Sequence, residues 1–162
     1  MNFRSKILSL ETLSIWRESQ REQGKKLAVT NGCFDLLHAG HVAYLEEARN
    51  QADALLVGVN GDAAVRLLKG PGRPLNRELD RASVLAALAS VDAVCIFPEH
   101  TAIRFLALAR PDIYVKGGDY SVETLNPEER QTVVDAGGTI VIMSVVPGIS
   151  TTSLVRKLSG HY

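Results

Sequence analysis

His38 and His41 flank Ala39-Gly40, and Thr30 and Asn31 lie a few residues upstream. Imidazole nitrogens donate hydrogen bonds from neutral or charged rings, so two of them close together suit an anion. Gly40 carries no Cβ and lets the backbone come close to a ligand. Thr30 and Asn31 can supply further hydrogen bonds to the same anion, and the set as a whole suits a triphosphate. No G-x-G-x-x-G is present, so the dinucleotide fingerprint does not apply.

Particular elements must hold these residues. Leu27, Ala28 and Val29 form a short apolar run that reads as a buried strand, and Thr30 to Gly40 reads as a loop. From His41 onward Val42, Leu45 and Ala48 recur at helical spacing. The histidines therefore fall where a loop enters a helix. Unpaired backbone N–H groups and a partial positive charge make that end of a helix an anion site.

Three further groups could join the site. Lys69 to Arg77, KGPGRPLNR, is a basic Gly/Pro loop from which Lys69 and Arg73 could swing over a nucleotide; it could equally be a solvated surface loop. Lys116-Gly117-Gly118-Asp119-Tyr120 follows a strand, and adjacent glycines there allow a tight turn beneath a ligand. Ser150, Thr151 and Thr152 precede Leu154, Val155 and Leu158 at helical spacing, so their hydroxyls lie beside free N–H groups, where simple N-capping is the plainer role. Asn60 and Asp62, at the carboxyl end of the strand Ala54 to Val59, are substrate-side candidates, and Asp62 also suits a cap on a helix through Leu68.

The remaining pattern reads as helices over Ser9 to Gln23, Glu78 to Ser90, Thr101 to Ala109 and Asn126 to Ala136. Between them come strands over Ala93 to Phe97, Asp112 to Val115 and Thr139 to Val145. Trp16 reads as a packing anchor. Alternating strands and helices with nearly continuous apolar strands predict an α/β, Rossmann-like, doubly wound sheet of about five parallel strands with helices on both faces. Residues 1–25 would be a helical extension and 26–162 the globular domain.

Asn31-Gly32-Cys33-Phe34-Asp35-Leu36-Leu37-His38-Ala39-Gly40-His41 resembles the HxGH signature of the nucleotidyltransferase superfamily that includes the cytidylyltransferases. The resemblance runs from about Lys26 to Leu158. NGCFDLLHAGHVAYLEEAR, the V-N-x-D-A run ending at LKG-x-x-RP-x-N, VKGGDY and STT look closest to the adenylyltransferase half of the ADP-heptose synthases of lipopolysaccharide assembly. What the resemblance implies is attack of a heptose 1-phosphate oxygen on the α-phosphorus of ATP, with ADP-heptose and pyrophosphate as products. His38, His41 and Lys69 would act on the phosphates, with Arg81 neutralising charge. Gly117 to Asp119, with Lys116, would face the nucleotide side, and Ile149 to Thr152 would hold the β/γ end. Magnesium would be held mainly by ATP phosphates, with no all-protein metal site. Asp35 could lie near it or simply hydrogen-bond the loop. A cytidylyltransferase acting on glycerol 3-phosphate or a related polyol phosphate is the alternative; a non-catalytic nucleotide-binding protein is disfavoured by His38, His41 and Lys69 being intact. The family's fused heptose kinase is absent from the sequence, so a separate kinase would act upstream; homodimerisation follows family habit.

Composition limits the remaining classes. The 162 residues are long enough for one domain with a real core. Lys+Arg and Asp+Glu are balanced at 18 each, which argues against a nucleic-acid-coating or membrane-surface protein. The two cysteines, Cys33 and Cys95, make neither a disulfide framework nor a metal cluster, and buried free thiols are expected. With no apolar run of spanning length and no signal-peptide core, the expected compartment is the cytoplasm.

Overall fold

A computed structural model describes residues 2–118 and 120–143. Among these the elements run β1 (Ile7–Leu8), α1 (Leu10–Glu22), β2 (Leu27–Gly32), α2 (Ala39–Arg49), β3 (Ala54–Asn60) and α3 (Asp62–Lys69). They continue with α4 (Glu78–Ala86), β4 (Ala93–Phe97), α5 (Ile103–Ala109), β5 (Ile113–Gly117), α6 (Pro127–Asp135) and β6 (Thr139–Met143). The strands form one all-parallel sheet in the order β1-β4-β3-β2-β5-β6.

Side chains alternate across such a sheet, and each face is covered. On one face Leu27, Val29, Leu56 and Tyr114 pack with Leu13 of α1, Phe105 of α5 and Val133 of α6. On the other Ala28, Leu55, Val57 and Val115 pack with Leu45 and Ala48 of α2 and Leu85 of α4. Each fully buried aliphatic side chain contributes about 1.5–3 kcal/mol. The doubly wound architecture expected of the sequence is present.

The sheet has six strands rather than about five. Ile7 and Leu8 pair with Val94 and Cys95, a stretch too short to carry a period. Lys6 fastens it by donating from Nζ to the carbonyls of Leu88 and Val91. Ser9 then caps α1 reciprocally with Thr12, and Trp16 packs against the core as an anchor. Arg17 holds α1 in place from a fully buried position, donating to the Arg110 carbonyl and to Asp112.

Two local readings need correction. Thr30, Asn31 and Gly32, expected in a loop, continue β2 opposite Val57, Gly58 and Val59. Their polar side chains are tolerated there because each finds a partner. Asp62 is not the cap of α3 but its first residue; the cap position is Gly61, and the Asp62 N–H is satisfied from a distance by the Glu78 carboxylate at 2.7 Å.

Candidate active site

The strand order reverses at β2, which has β3 on one side and β5 on the other. The crevice beyond the carboxyl ends of strands at such a switch is where open α/β sheets bind ligands. The loop after β2 and the loop after β5 both open there.

Phe34 turns the chain out of β2 with a φ of 47°, an uncommon conformation for a residue with a side chain. Its ring is buried and meets His41 edge-on at 5.6 Å. His38 is the N-cap residue of α2, with its carbonyl accepting from the N–H groups of His41 and Val42. The two imidazoles lie against each other, 3.9 Å between centroids and 33° between planes. Both Nδ1 atoms are buried without a partner among the described residues. Burial holds the His38 pKa below its ordinary value; burial, and then the neighbouring His38, brings His41 down to about 4. Near pH 7 this is a pair of neutral rings with N–H donors at a helix start, arranged to receive negative charge and to gain from it.

The loops around this pair are tied down by two charged residues. Asp35 is buried and accepts from Leu75 N–H, Asn76 N–H and Arg73 Nε, while its carbonyl takes the Asn76 side-chain amide. Of the two roles left open for Asp35, loop fastening is the one observed. Arg73, expected to swing over a nucleotide, is pinned to Asp35 at 2.6 Å. The carboxyl stays ionised below its usual range, since the two backbone N–H groups and Arg73 outweigh the burial that opposes them.

Arg81 also departs from expectation. It is buried, and it donates to the carbonyls of Asn76, Cys33 and Asn60 and to Asp62 Oδ1. With four of its five N–H groups given to these partners, it joins the ends of β2 and β3 to the basic loop. Asn60 and Asp62 are thereby part of the same knot, and Asn60 also donates to the Glu99 carbonyl. Lys69, at the end of α3, is exposed and uncommitted to any ion pair among the described residues.

Thr30 does not face an anion either. Its hydroxyl meets Tyr44 of α2 at 2.8 Å, and Tyr44 in turn donates to the Val115 carbonyl. Gly117 makes room for that ring, because a Cβ there would lie 2.7 Å from Tyr44 Cε2. Gly118 continues the turn with φ +97°. Lys116 is buried against the rings of Tyr114 and Tyr120 and donates to Asn31 Oδ1 at 2.9 Å; burial lowers its pKa. Gly32 and Gly40 lie in the walls of the loop. Cys33 is only half-buried while Cys95 is buried, and both are free thiols. Asp119, Ile149, Ser150, Thr151 and Thr152 lie outside the described residues.

His38, His41, Asn31, Lys116, Gly117 and Gly118 thus converge at one switch point, while Thr30, Asp35, Arg73 and Arg81 serve as its frame. Sequence reasoning missed Tyr44, Tyr114 and Glu129. Tyr44 follows His41 by three, one helical turn along α2, and Tyr114 precedes Lys116 by two on the same strand face, so both had a periodic signal. Glu129 had none, since its role depends on tertiary pairing. Among the described residues no cluster of three or more His, Cys, Asp or Glu could hold a metal. Asp35, the carboxylate considered for magnesium, is taken up by Arg73, Leu75 and Asn76, so among the described residues the donor set fits magnesium only as an ion carried by phosphate oxygens and water. No helix among the described residues is long and apolar enough to cross a membrane.

The sequence model of a family described as cytidylyltransferase-like matches residues 29–157. A Mesorhizobium japonicum protein named bifunctional protein HldE is 52% identical over 138 residues, covering 85% of this chain and 27% of the relative. A protein of the same name from Syntrophotalea carbinolica is 44% identical over 162 residues, 100% of this chain and 33% of its own. The chain therefore spans a third or less of the length of these relatives. A solved lipopolysaccharide core biosynthesis protein from Thermoplasma volcanium superposes with TM-score 0.62 at 27% identity, covering 76% of this chain and 98% of that one. The pantothenate synthetase of Thermus thermophilus, TM-score 0.65 at 20% identity over 96% of this chain and 69% of its own, shares the fold.

Proposed function

Since this chain belongs to the cytidylyltransferase-like family, we propose that it is a nucleotidyltransferase that moves the adenylyl group of ATP onto D-glycero-β-D-manno-heptose 1-phosphate. The products are ADP-heptose, a precursor for lipopolysaccharide core synthesis, and pyrophosphate. The observation that carries the reading is the close, tilted pair of neutral histidines at the start of α2, with buried Nδ1 atoms unpartnered among the described residues, at the switch point of the sheet. The sequence motifs shared with the heptose adenylyltransferases and the named relatives support the acceptor.

The attacking sugar-phosphate oxygen is already anionic at neutral pH, so the reaction needs little proton transfer. One P–O bond forms at the α-phosphorus of ATP as the bond to the β-phosphate oxygen breaks. Catalysis then consists of alignment and stabilisation of the charge that grows on the leaving pyrophosphate. His38 and His41 donate to the α- and β-phosphates, and α2 adds its N-terminal field. Lys69 comes over the phosphates from the end of α3, while Gly118 leaves the backbone open beside the nucleotide and Gly117 seats the Tyr44 ring. The family resemblance assigns Asp119 to the nucleotide side and Ser150 to Thr152 to the β/γ end. Magnesium, when bound, would be held mainly by the ATP phosphates and water and would supply neutralisation of the phosphate charge. Arg81, Asp35 and Arg73 hold the loops that carry these groups. An upstream sugar kinase supplies the acceptor, the protein works in the cytoplasm, and a homodimer is its expected assembly.

The test is pyrophosphate release with magnesium, ATP or CTP, and heptose 1-phosphate or glycerol 3-phosphate. Release with ATP and the heptose, abolished by His41→Ala, is expected. Release only with CTP and glycerol 3-phosphate would replace the adenylyltransferase reading with a cytidylyltransferase one.

A further inference from the structure

Asn31 and Thr30 are neighbours on β2, so their side chains leave opposite faces of the sheet. Thr30 joins Tyr44 on the α2 face, where the histidines begin. Asn31 lies on the face covered by α5 and α6, and there its Oδ1 accepts twice, from Lys116 Nζ at 2.9 Å and from Tyr114 Oη at 2.6 Å. Both lone pairs of Oδ1 are then in use, which fixes the amide orientation and turns its NH2 away from these donors. No acceptor meets that NH2 among the described residues, and it is not among the atoms sealed from solvent without a partner.

Behind Asn31 the chain of contacts continues inward. The single Tyr114 hydroxyl proton goes to Asn31 Oδ1 at 2.6 Å, with Glu129 Oε2, 3.3 Å from Tyr114 Oη, as the weaker competitor, and Glu129 Oε1 accepts the Ala102 N–H at 2.7 Å. Glu129 is buried on the first turn of α6, and Tyr114 is fully buried on β5. Lys116 has its ammonium against two aromatic rings and one amide oxygen and makes no ion pair among the described residues; burial opposes its charge, and the Glu129 carboxylate beyond ion-pair distance offsets part of that. A buried cation in this setting gains strongly from an anion that comes within reach.

The geometry points to a division of the crevice, and this inference rests on the nucleotidyl-transfer reading above. We propose that Tyr114 is the positioning residue that sets Asn31, so that its NH2 and the Lys116 ammonium form the subsite for the acceptor's phosphate. In-line displacement puts the attacking and leaving oxygens on opposite sides of the α-phosphorus. Pyrophosphate leaving on the α2 side, against the histidines, requires the acceptor to approach from the side of α5 and α6. That is where Asn31 and Lys116 stand.

Tyr114→Phe removes one hydroxyl and keeps the packing. The expected result is an acceptor KM raised about fivefold to tenfold, the size of one lost positioned hydrogen bond, with the KM for ATP within about twofold. Asn31→Ala, which removes the NH2 itself, should raise the same constant with the KM for ATP again within about twofold, and serves if Tyr114→Phe is poorly folded. A merely structural role would lower thermal stability and leave both KM values of the folded fraction unchanged, and that outcome overturns the inference. Calorimetry with heptose 1-phosphate alone separates this proposal from the proposed reaction. Weaker binding to Tyr114→Phe than to the unmodified chain supports the subsite even if no pyrophosphate is released. Equal binding, or none to the unmodified chain, overturns it.

Discussion

Arg81→Met is the substitution that most directly tests whether Arg81 is a frame residue or a phosphate ligand. Methionine fills much of the same volume but leaves the carbonyls of Asn76, Cys33 and Asn60, and the Asp62 carboxylate, without this donor. Removing one partner of a buried, hydrogen-bonded charge typically costs about 3–5 kcal/mol. The Asp62 side chain retains 31% exposure and can turn to water, so its share of the loss is small and the lower end applies, about 3 kcal/mol. Against a total stability of about 5–15 kcal/mol the variant still folds. With a urea slope of about 2 kcal/mol per molar, the midpoint should fall by about 1.5 M. The assay is equilibrium urea unfolding followed by circular dichroism, with pyrophosphate release measured on the same preparation. A midpoint within about 0.3 M of the unmodified chain, together with a large rise in the KM for ATP, would refute the reasoning and return Arg81 to the phosphates.

Other outcomes follow from the same geometry. His41 is neutral when folded down to about pH 4 but takes a proton below about 6.5 when unfolded. Stability without nucleotide should therefore be complete above pH 6.5 and fall by up to about 3 kcal/mol on acidification to pH 4; urea midpoints across that range check it, and His41→Asn should flatten the dependence. Asp35→Ala should free the Leu75 and Asn76 amides, seen as faster hydrogen exchange at those two positions, and unchanged protection there would count against the anchoring role. Gly117→Ala should cost about 1–3 kcal/mol, because its Cβ meets the Tyr44 ring at 2.7 Å. Adding Tyr44→Ala should recover part of that loss in a double-mutant cycle, and strict additivity would refute the contact.

The sequence was most readable where a single element carried the signal. The apolar strands and the helical spacing of Val42, Leu45 and Ala48 gave the doubly wound sheet and put His38 and His41 at a helix start. Residue type misled where a partner far away in sequence decides the role. Arg73 and Arg81 are cations near the candidate site, yet Asp35, the distant carbonyls of Cys33 and Asn60 and the nearer one of Asn76 claim them. Thr30 is polar and looked like loop, but Tyr44 supplies the hydrogen bond that lets it remain in a buried strand. The pair Ile7 and Leu8 is too short for periodicity to register, and only the edge of β4 makes it a strand.

The alternation along β2 has a consequence for how this sequence can vary. Thr30 and Asn31 are adjacent but address opposite layers, and Gly58 beside Asn31 is kept bare by Phe105, 2.6 Å from where its Cβ would be. Inserting or deleting one residue in β2 would swap the two addresses, sending the amide into the Tyr44 contact and the hydroxyl to Lys116. The strand therefore behaves as a reading frame. Length changes can accumulate in the connecting loops of such a chain, whereas within β2 a frameshift of one position would scramble both halves of the crevice at once.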